Sequence, residues 1–325
     1  MRELQPDEDN YILKIAYWYY KMNMTQAEIA QRLNFTRQRV NQIIGRLVED
    51  GVVEIKINGL REDNVKLESV FERRFSLKRV YIFDINEGSD DPLDLFGQMA
   101  SGALGHLLRD GQIIGVSWGA TLGAAVMRMQ QKSLSKCTVV QMVGGLNSDS
   151  EMSKPDEIAR TLAKKISCDY HLLYGPAMVD DLAAREVLLK ENAFQETFDL
   201  IHRCDVAVLG VGELNEASTI YQQGYLPKER LDKLIQDGYV GDLVMQPFKK
   251  DGTWEPENNV IGVSPKSLAQ IPCVAVMACG ANKTDAVLGA INTGCINVLI
   301  IDKSIAMTIA DRYSLDVGEM SKETI

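Results

Sequence analysis

From residue 79 to residue 312 the chain alternates strand-sized apolar runs with amphipathic stretches, and few architectures accommodate that rhythm. Runs such as RVYIFDI, DVAVLGVG and CINVLII are too short for buried helices and too apolar for a one-sided sheet. Strands are expected at 79–85, 112–117, 137–143, 169–174, 204–211, 260–264, 273–279 and 296–302. Helices are expected at 93–109, 121–132, 155–167, 181–203 (broken), 265–270, 283–293 and 303–312. Such alternation predicts a doubly wound α/β domain on a parallel sheet. A helix, VKLESVFERRFSL, leads into it, and with no second linker residues 65–325 read as one domain.

Ahead of this domain the pattern changes. NYILKIAYWYYKMN has helical apolar spacing, and TQAEIAQRLNFTRQRVNQII comes next with two helix starts. Thr25 stands three residues before Glu28, the reciprocal capping pattern, and Thr36 can cap a second helix. Asn34 between them tolerates the left-handed backbone of a tight turn. Apolar Ile29, Leu33, Phe35, Val40 and Ile43, with small Ala30, give the spacing of a helix-turn-helix. The opposite face carries Thr36, Arg37, Gln38, Asn41 and Gln42, with Arg39 on its flank. Arg, Asn and Gln make paired hydrogen bonds to guanine or adenine edges. A solvated helical hairpin would show the same pattern. The segment EDGVVEIKIN favours DNA: Gly51 stops the helix, and Val53, Ile55 and Ile57 alternate as the strand of a wing would. Arg46 and Lys56 are then expected on phosphates. The expected division is a helix-turn-helix domain at 1–58, a linker at 59–64 and the α/β domain at 65–325.

The formal charge of −10 argues against a nucleic-acid binder only until it is divided along the chain. Residues 1–60 balance eight basic against eight acidic side chains, so residues 61–325 carry the whole deficit. Between 21 and 48 five basic residues face only Glu28. A modest basic patch suits site-specific reading with weak non-specific affinity. The six cysteines lie scattered without a CxxC pair and read as buried thiols of a reducing cytoplasm, and the three histidines have no metal-ligand spacing. No run is long enough to span a membrane, and no leader-like segment opens the chain. A soluble cytoplasmic protein without cofactor or metal is expected.

In α/β sheets ligands sit outside the carboxyl ends of the strands. Four loops qualify. GVSWGATL places Ser117, Gly119, Ala120 and Thr121 before a helix, where amides and hydroxyls can hold an anion or simply turn the chain. VGGLN offers Gly144 and Gly145 for close backbone approach; LGVGELN puts Glu213 past a strand; ACGANKTD brings Gly280, Asn282 and Lys283. A separate turn, GYVGDLVMQPF, holds Asp242. Together they suggest a phosphorylated, hydroxyl-rich ligand.

The ordered set YYKMNMTQAEIAQRLNFTRQRVNQIIGRLVEDGVVEI, GVSWGATL, DVAVLGVGEL, GDLVMQPFKKDG, VIGVS and ACGANKTDAVLGAINTGCINVLIID resembles the SorC-type (DeoR-like) sugar-binding bacterial transcription regulators over nearly the whole chain. The resemblance implies an effector domain similar to sugar-phosphate isomerases and deaminases such as glucosamine-6-phosphate deaminase. It implies a sugar phosphate effector, double-stranded operator DNA as partner, and assembly into a homodimer or homotetramer. By analogy Ser117, Gly119 and Thr121 match the phosphate-side loop, Glu213 and Asp242 the hydroxyl-side acids, and Lys283 the late loop. QPFKKDG departs from a GRFFDADG type, which bears on the sugar's identity. The competing reading is a sugar-phosphate isomerase or deaminase with an appended helical domain. None of the three His falls in the four loops, and the two acids serve hydroxyl binding equally well. A redox-sensing repressor lacks its GxGxxG. A non-catalytic regulator is the expectation.

Overall fold

A computed structural model describes residues 6–53, 62–85, 90–146, 153–256 and 259–315. The chain forms two compact units, one within residues 1–62 and one over residues 63–317.

The first unit holds α1 (Pro6–Tyr20), α2 (Gln26–Leu33) and α3 (Arg37–Arg46). Its turn chemistry is local. Thr25 Oγ1 accepts from Glu28 N while Glu28 Oε2 accepts from Thr25 N, closing the capping box. Asn34 takes φ +52° to leave α2, and Thr36 Oγ1 accepts from Arg39 N at 3.2 Å to start α3. Ile15, Ile29, Ala30, Val40, Ile44 and Leu47 close a small core between the three helices. Ile55, Ile57 and Lys56, expected on the wing, lie outside the described residues. The linker needs a correction: Glu62 to Asn64 already belong to α4 (Glu62–Arg74). The sequence Glu-Asp that reads as a polar hinge is equally the chemistry a helix N-terminus favours.

In the second unit seven parallel strands run in the order β1-β9-β8-β5-β2-β3-β4. They are β1 (Arg79–Phe83), β2 (Ile113–Val116), β3 (Thr138–Gln141), β4 (Asp169–His171), β5 (Val206–Glu213), β8 (Cys273–Ala278) and β9 (Val298–Asp302). The antiparallel pair β6 (Tyr239–Leu243) and β7 (Gln246–Lys249) hangs from the end of β5, with Gly212 opposite Asp242. Both faces are covered. Along β5, Val206 and Val208 join the layer with α5 (Pro92–Leu107), α6 (Ala120–Arg128) and α7 (Pro155–Ile166). Ala207 and Leu209 join the layer with α4, α9 (Asn192–His202), α11 (Lys228–Gln236), α13 (Thr284–Asn292) and α14 (Lys303–Arg312). That is the signature of strands buried on both sides. After β2 the chain moves outward through β3 and β4, then returns to lay β5 on the other side of β2. The crevice between β2 and β5 is therefore a topological switch point, where α/β folds bind ligands.

Two expectations need correction, and one is borne out. The run 260–264 forms no ladder strand. Val260 and Gly262 make isolated bridges to Met178 and Val143, because the segment threads between two loops and is buried without a strand beside it. The helix expected over 181–203 is two, α8 (Leu182–Leu189) and α9, as its broken pattern implied. Residues 215–259 also hold elements the periodicity did not reveal: α10 (Thr219–Gln222), α11, β6 and β7. Asp242 thus lies on a strand, not in a turn. The short α12 (Pro265–Leu268) completes the α-helices among the described residues, and Ala281–Lys283 form one 3-10 turn ahead of α13.

Candidate functional site

The reading face of α3 is built by its own cap. Thr36 sets the helix start so that Val40 and Ile44 point to the core and Arg37, Gln38, Asn41 and Gln42 stay exposed. Asn41 Oδ1 accepts from Gln26 Nε2 at 3.0 Å, which steers its amide hydrogens outward. Arg39 stacks its guanidinium 4.1 Å from the Phe35 ring centroid, on the flank, and Arg46 is exposed at the far end. The face presents fork-shaped and amide donors at one-turn spacing, the chemistry that reads purine edges.

In the larger unit a cavity of about 140 Å³ opens at the β2–β5 switch point. Trp118 to Thr121 wall it from one side and Gly210 to Glu213 from the other; Asp242, Lys283 and Ala217 to Ile220 close it. α6 begins here at Gly119, whose φ of +117° lets the chain turn sharply off β2, and no side chain caps the first turn. Uncapped amides at a helix start attract anions. Lys283 Nζ lies 3.3 Å from Thr121 Oγ1, so the ammonium faces that same start. Burial lowers the Lys283 pKa, while Cys279, Glu213, Asp242 and Asp302 pull it back up. Across the cleft Asn282 Nδ2 donates to Glu213 Oε1 at 2.8 Å. Asp242 is buried, and its Oδ2 accepts from Met245 N at 2.9 Å. Burial pushes its pKa up to about 6 despite that amide and Lys283, which both lower it. Opposite Asp242 only glycine fits, since a Cβ on Gly212 would stand 2.1 Å from Oδ1. The cavity thus gathers one ammonium, an uncapped helix start and two carboxylates, with the ammonium in electrostatic reach of both acids.

Of the residues expected at the effector site, Gly119, Ala120, Thr121, Glu213, Asp242 and Lys283 line this one cavity. The others stand elsewhere. Ser117 is buried as a strut, its Oγ accepting from Gly210 N at 3.2 Å. Gly280 donates its amide to Asp302, and Asn282 acts through Glu213. Gly144 and Gly145 spend their amides on Ile261 and Gly175. A Cβ on Gly144 would meet Pro176 O at 2.2 Å, so its small size serves packing. Gly145 lines a second cavity, of about 470 Å³, beside β3 and β4. Sequence reasoning missed Trp118, Ser218 and Thr219, for which the polar run after Glu213 was the available signal. It also missed Asp302, which ends an apolar strand and reads as a simple helix cap. Near Lys283, burial and Asp302 push the Cys279 thiol up to about 12, which disfavours the reactive thiolate.

Among known proteins, the sugar-binding domain family model matches residues 61–310 and the MarR family model matches residues 17–59. The chain is similar to the sorbitol operon regulator of Klebsiella pneumoniae, 26% identical over 307 residues, covering 92% of this chain and 97% of that protein. It is also similar to the deoxyribonucleoside regulator of Bacillus subtilis (strain 168), 24% identical over 306 residues, with 92% and 96% covered. The crystal structure of the full-length sorbitol operon regulator SorC superposes with a TM-score of 0.71 at 26% identity, covering 93% of this chain and 99% of that one. With most of its length inside the sugar-binding domain model and a helix-turn-helix ahead of it, the chain belongs to the SorC-type family of sugar-binding transcriptional regulators.

Proposed function

We propose that this protein regulates a carbohydrate-utilisation operon, binding double-stranded operator DNA through α3 and answering to a phosphorylated sugar held at the β2–β5 switch point. The observation that carries the effector is an ammonium facing an uncapped helix start in a cavity that also holds two carboxylates. Lys283 Nζ and the uncapped start of α6 meet at Thr121, while Glu213 and Asp242 line the same cavity. A phosphate is stabilised at a helix N-terminus facing an ammonium and repelled by two carboxylates. The carboxylates instead accept sugar hydroxyls. On this reading Gly119, Ala120, Thr121 and Lys283 hold phosphate, and Asn282 keeps Glu213 aimed.

A carboxyl near pKa 6 in a cleft also suits proton transfer on a sugar, which is the isomerase reading. Two observations favour regulation. Asp242 already spends one oxygen on Met245, and no histidine lines the cleft among the described residues. On this reading the protein binds its sugar without turning it over, works in the cytoplasm beside the chromosome, and forms a homodimer or homotetramer so that two reading heads meet a palindrome.

Calorimetric titration of the full chain with hexose and pentose phosphates tests the site. Thr121→Asp plants a like charge at the phosphate end and should abolish binding of every phosphosugar the parent binds. Full affinity in that variant would move the phosphate elsewhere. Turnover of any such sugar by the parent would restore the enzyme reading.

A further inference from the structure

β1 is an edge strand with an unusual neighbour. On one side it pairs with β9; along its open side runs α4, and side chains take the place of a strand. Glu72 Oε1 accepts from Val80 N at 2.9 Å and Glu68 Oε1 accepts from Ile82 N at 2.8 Å. Asn64 Nδ2 donates to Ile82 O at 3.1 Å. The three residues stand four apart, one per helical turn, and the two amides stand two apart along the strand. A helix advances about 6 Å in four residues and a strand about 6.6 Å in two, so the rows nearly match. Because the match repeats, a slide of one turn brings Glu68 to Val80 or Glu72 to Ile82 and forms the same kind of bond again. The present register is also incomplete: Asn64 Oδ1 is the only buried side-chain N or O atom without a hydrogen-bond partner among the described residues.

The inner side of β1 leads to the effector cleft. Phe83 stands opposite Asp302 at the end of β9, and Lys303 pairs with Asp84 at 3.3 Å. Asp302 is buried, caps α14 through Ser304 N and Ile305 N, and receives the amide of Gly280. That fixes the loop that carries Asn282 and Lys283. α4 in turn is the first element after the DNA-reading unit in the chain.

We infer that α4 is a sliding output helix: the Asn64–Glu68–Glu72 row on the β1 edge has two registers, and effector occupancy at Lys283 selects between them through Asp302 and β9. Bistable one-turn shifts of this kind turn small movements at a ligand into discrete ones. Covalent continuity then delivers the shift to the DNA-reading unit. The slide rests on the effector-gated regulator, and a real link must be reciprocal between sugar phosphate and DNA.

The test uses the full chain and the duplex lying upstream of its own coding sequence. The effector probe is whichever of glucose 6-phosphate, fructose 6-phosphate, sorbitol 6-phosphate and ribose 5-phosphate raises the parent's melting temperature most. The quantity read is the factor by which that probe changes the Kd for the duplex. In the pair Glu68→Leu with Glu72→Leu, which removes both acceptors, the factor should fall at least fivefold toward one, with the probe's own Kd within twofold of the parent's. The pair Glu68→Gln with Glu72→Gln keeps an acceptor at each position and should retain the parental factor within twofold. A Leu pair that keeps the parental factor overturns the sliding helix and leaves the gated regulator standing. A parent with no factor at all overturns the gated reading and the slide with it. If the Leu pair does not fold, hydrogen exchange of the Val80 and Ile82 amides in the parent decides. Saturating probe should change their protection, and unchanged protection overturns the proposal.

Discussion

Replacing Asp242 by Asn should make the larger unit more stable, and the gain should depend on pH in a defined way. The carboxyl has an ordinary pKa of 3.8 and is pushed up to about 6 by burial, so folding favours its protonated form. Below pH 3.8 it is neutral in both states and imposes nothing. Between 3.8 and about 6 the unfolded chain releases its proton first, and stability falls as pH rises. Above about 6 the cost is complete: roughly 3 kcal/mol, from about 2.2 pKa units at about 1.4 kcal/mol each. The figure is a ceiling, because Lys283 loses a nearby carboxylate when Asp242 is neutralised. Asn keeps the shape and an oxygen for Met245 N. Urea unfolding at pH 8 and pH 5, followed by Trp118 and Trp254 fluorescence, measures the difference between variant and parent. About 2–3 kcal/mol in favour of Asn is expected at pH 8 and about half of that at pH 5. A pH-independent difference, or a less stable variant at pH 8, would refute the assignment of a costly buried charge. A residue that destabilises its own fold has a reason to persist, so Asp242→Asn should also weaken phosphosugar binding.

Two further outcomes come from the geometry. Arg37→Ala and Gln38→Ala should each cost about 1–3 kcal/mol of operator affinity and relax preference at one base pair, measured by anisotropy on variant duplexes; parental affinity and preference in both would remove them from the reading face. Val244→Asn with Met245→Gly suits a turn whose residues sit at φ +54° and +62°, yet strips two fully buried side chains from the core, so it should lower stability by about 2 kcal/mol or more. An unchanged or higher melting temperature would show that backbone strain in the turn outweighs that packing.

The same turn shows where sequence reading stops. A two-residue hairpin advertises itself by Asn-Gly or Asp-Gly, and Val-Met carries neither signal, so GYVGDLVMQPF reads as one turn and not as two strands. Tertiary packing holds the turn, with Asp242 bonding Met245 N from inside. The run 260–264 failed in the opposite direction, because an apolar segment wedged between loops has the composition of a strand without its partner. What was legible rested on local chemistry. Thr25, Asn34 and Thr36 write the helix-turn-helix into twelve consecutive residues, and the parallel strands announce themselves by length and apolarity. In the cleft, Thr121, Glu213 and Lys283 were visible because each stands at the end of a strand or shortly beyond it. Ser117, Gly144 and Gly280 occupy the same kind of position, yet point their polar groups at the protein. Loop position alone does not tell a ligand contact from a strut. Asp302 was hidden for a related reason, as its partner Gly280 is known only once β8 and β9 are paired.

The pairing of β1 with β9 has a consequence during synthesis. Arg79 lies against Val298, so the first strand of the sheet has no neighbour until nearly the last has left the ribosome. Among the described residues, the core of the three helices of the DNA-reading unit draws only on side chains between Ile12 and Val53. At ~5–20 residues per second, the ~250 residues between Val53 and Asp302 take roughly 10–50 s to emerge. For that interval a nascent chain carries a finished reading head without the domain that governs it, tethered near its own transcript and message. Protease digestion of chains stalled near residue 250 should yield a resistant N-terminal fragment and a digested remainder. A remainder as resistant as the released protein would show that the sheet closes without its last strand.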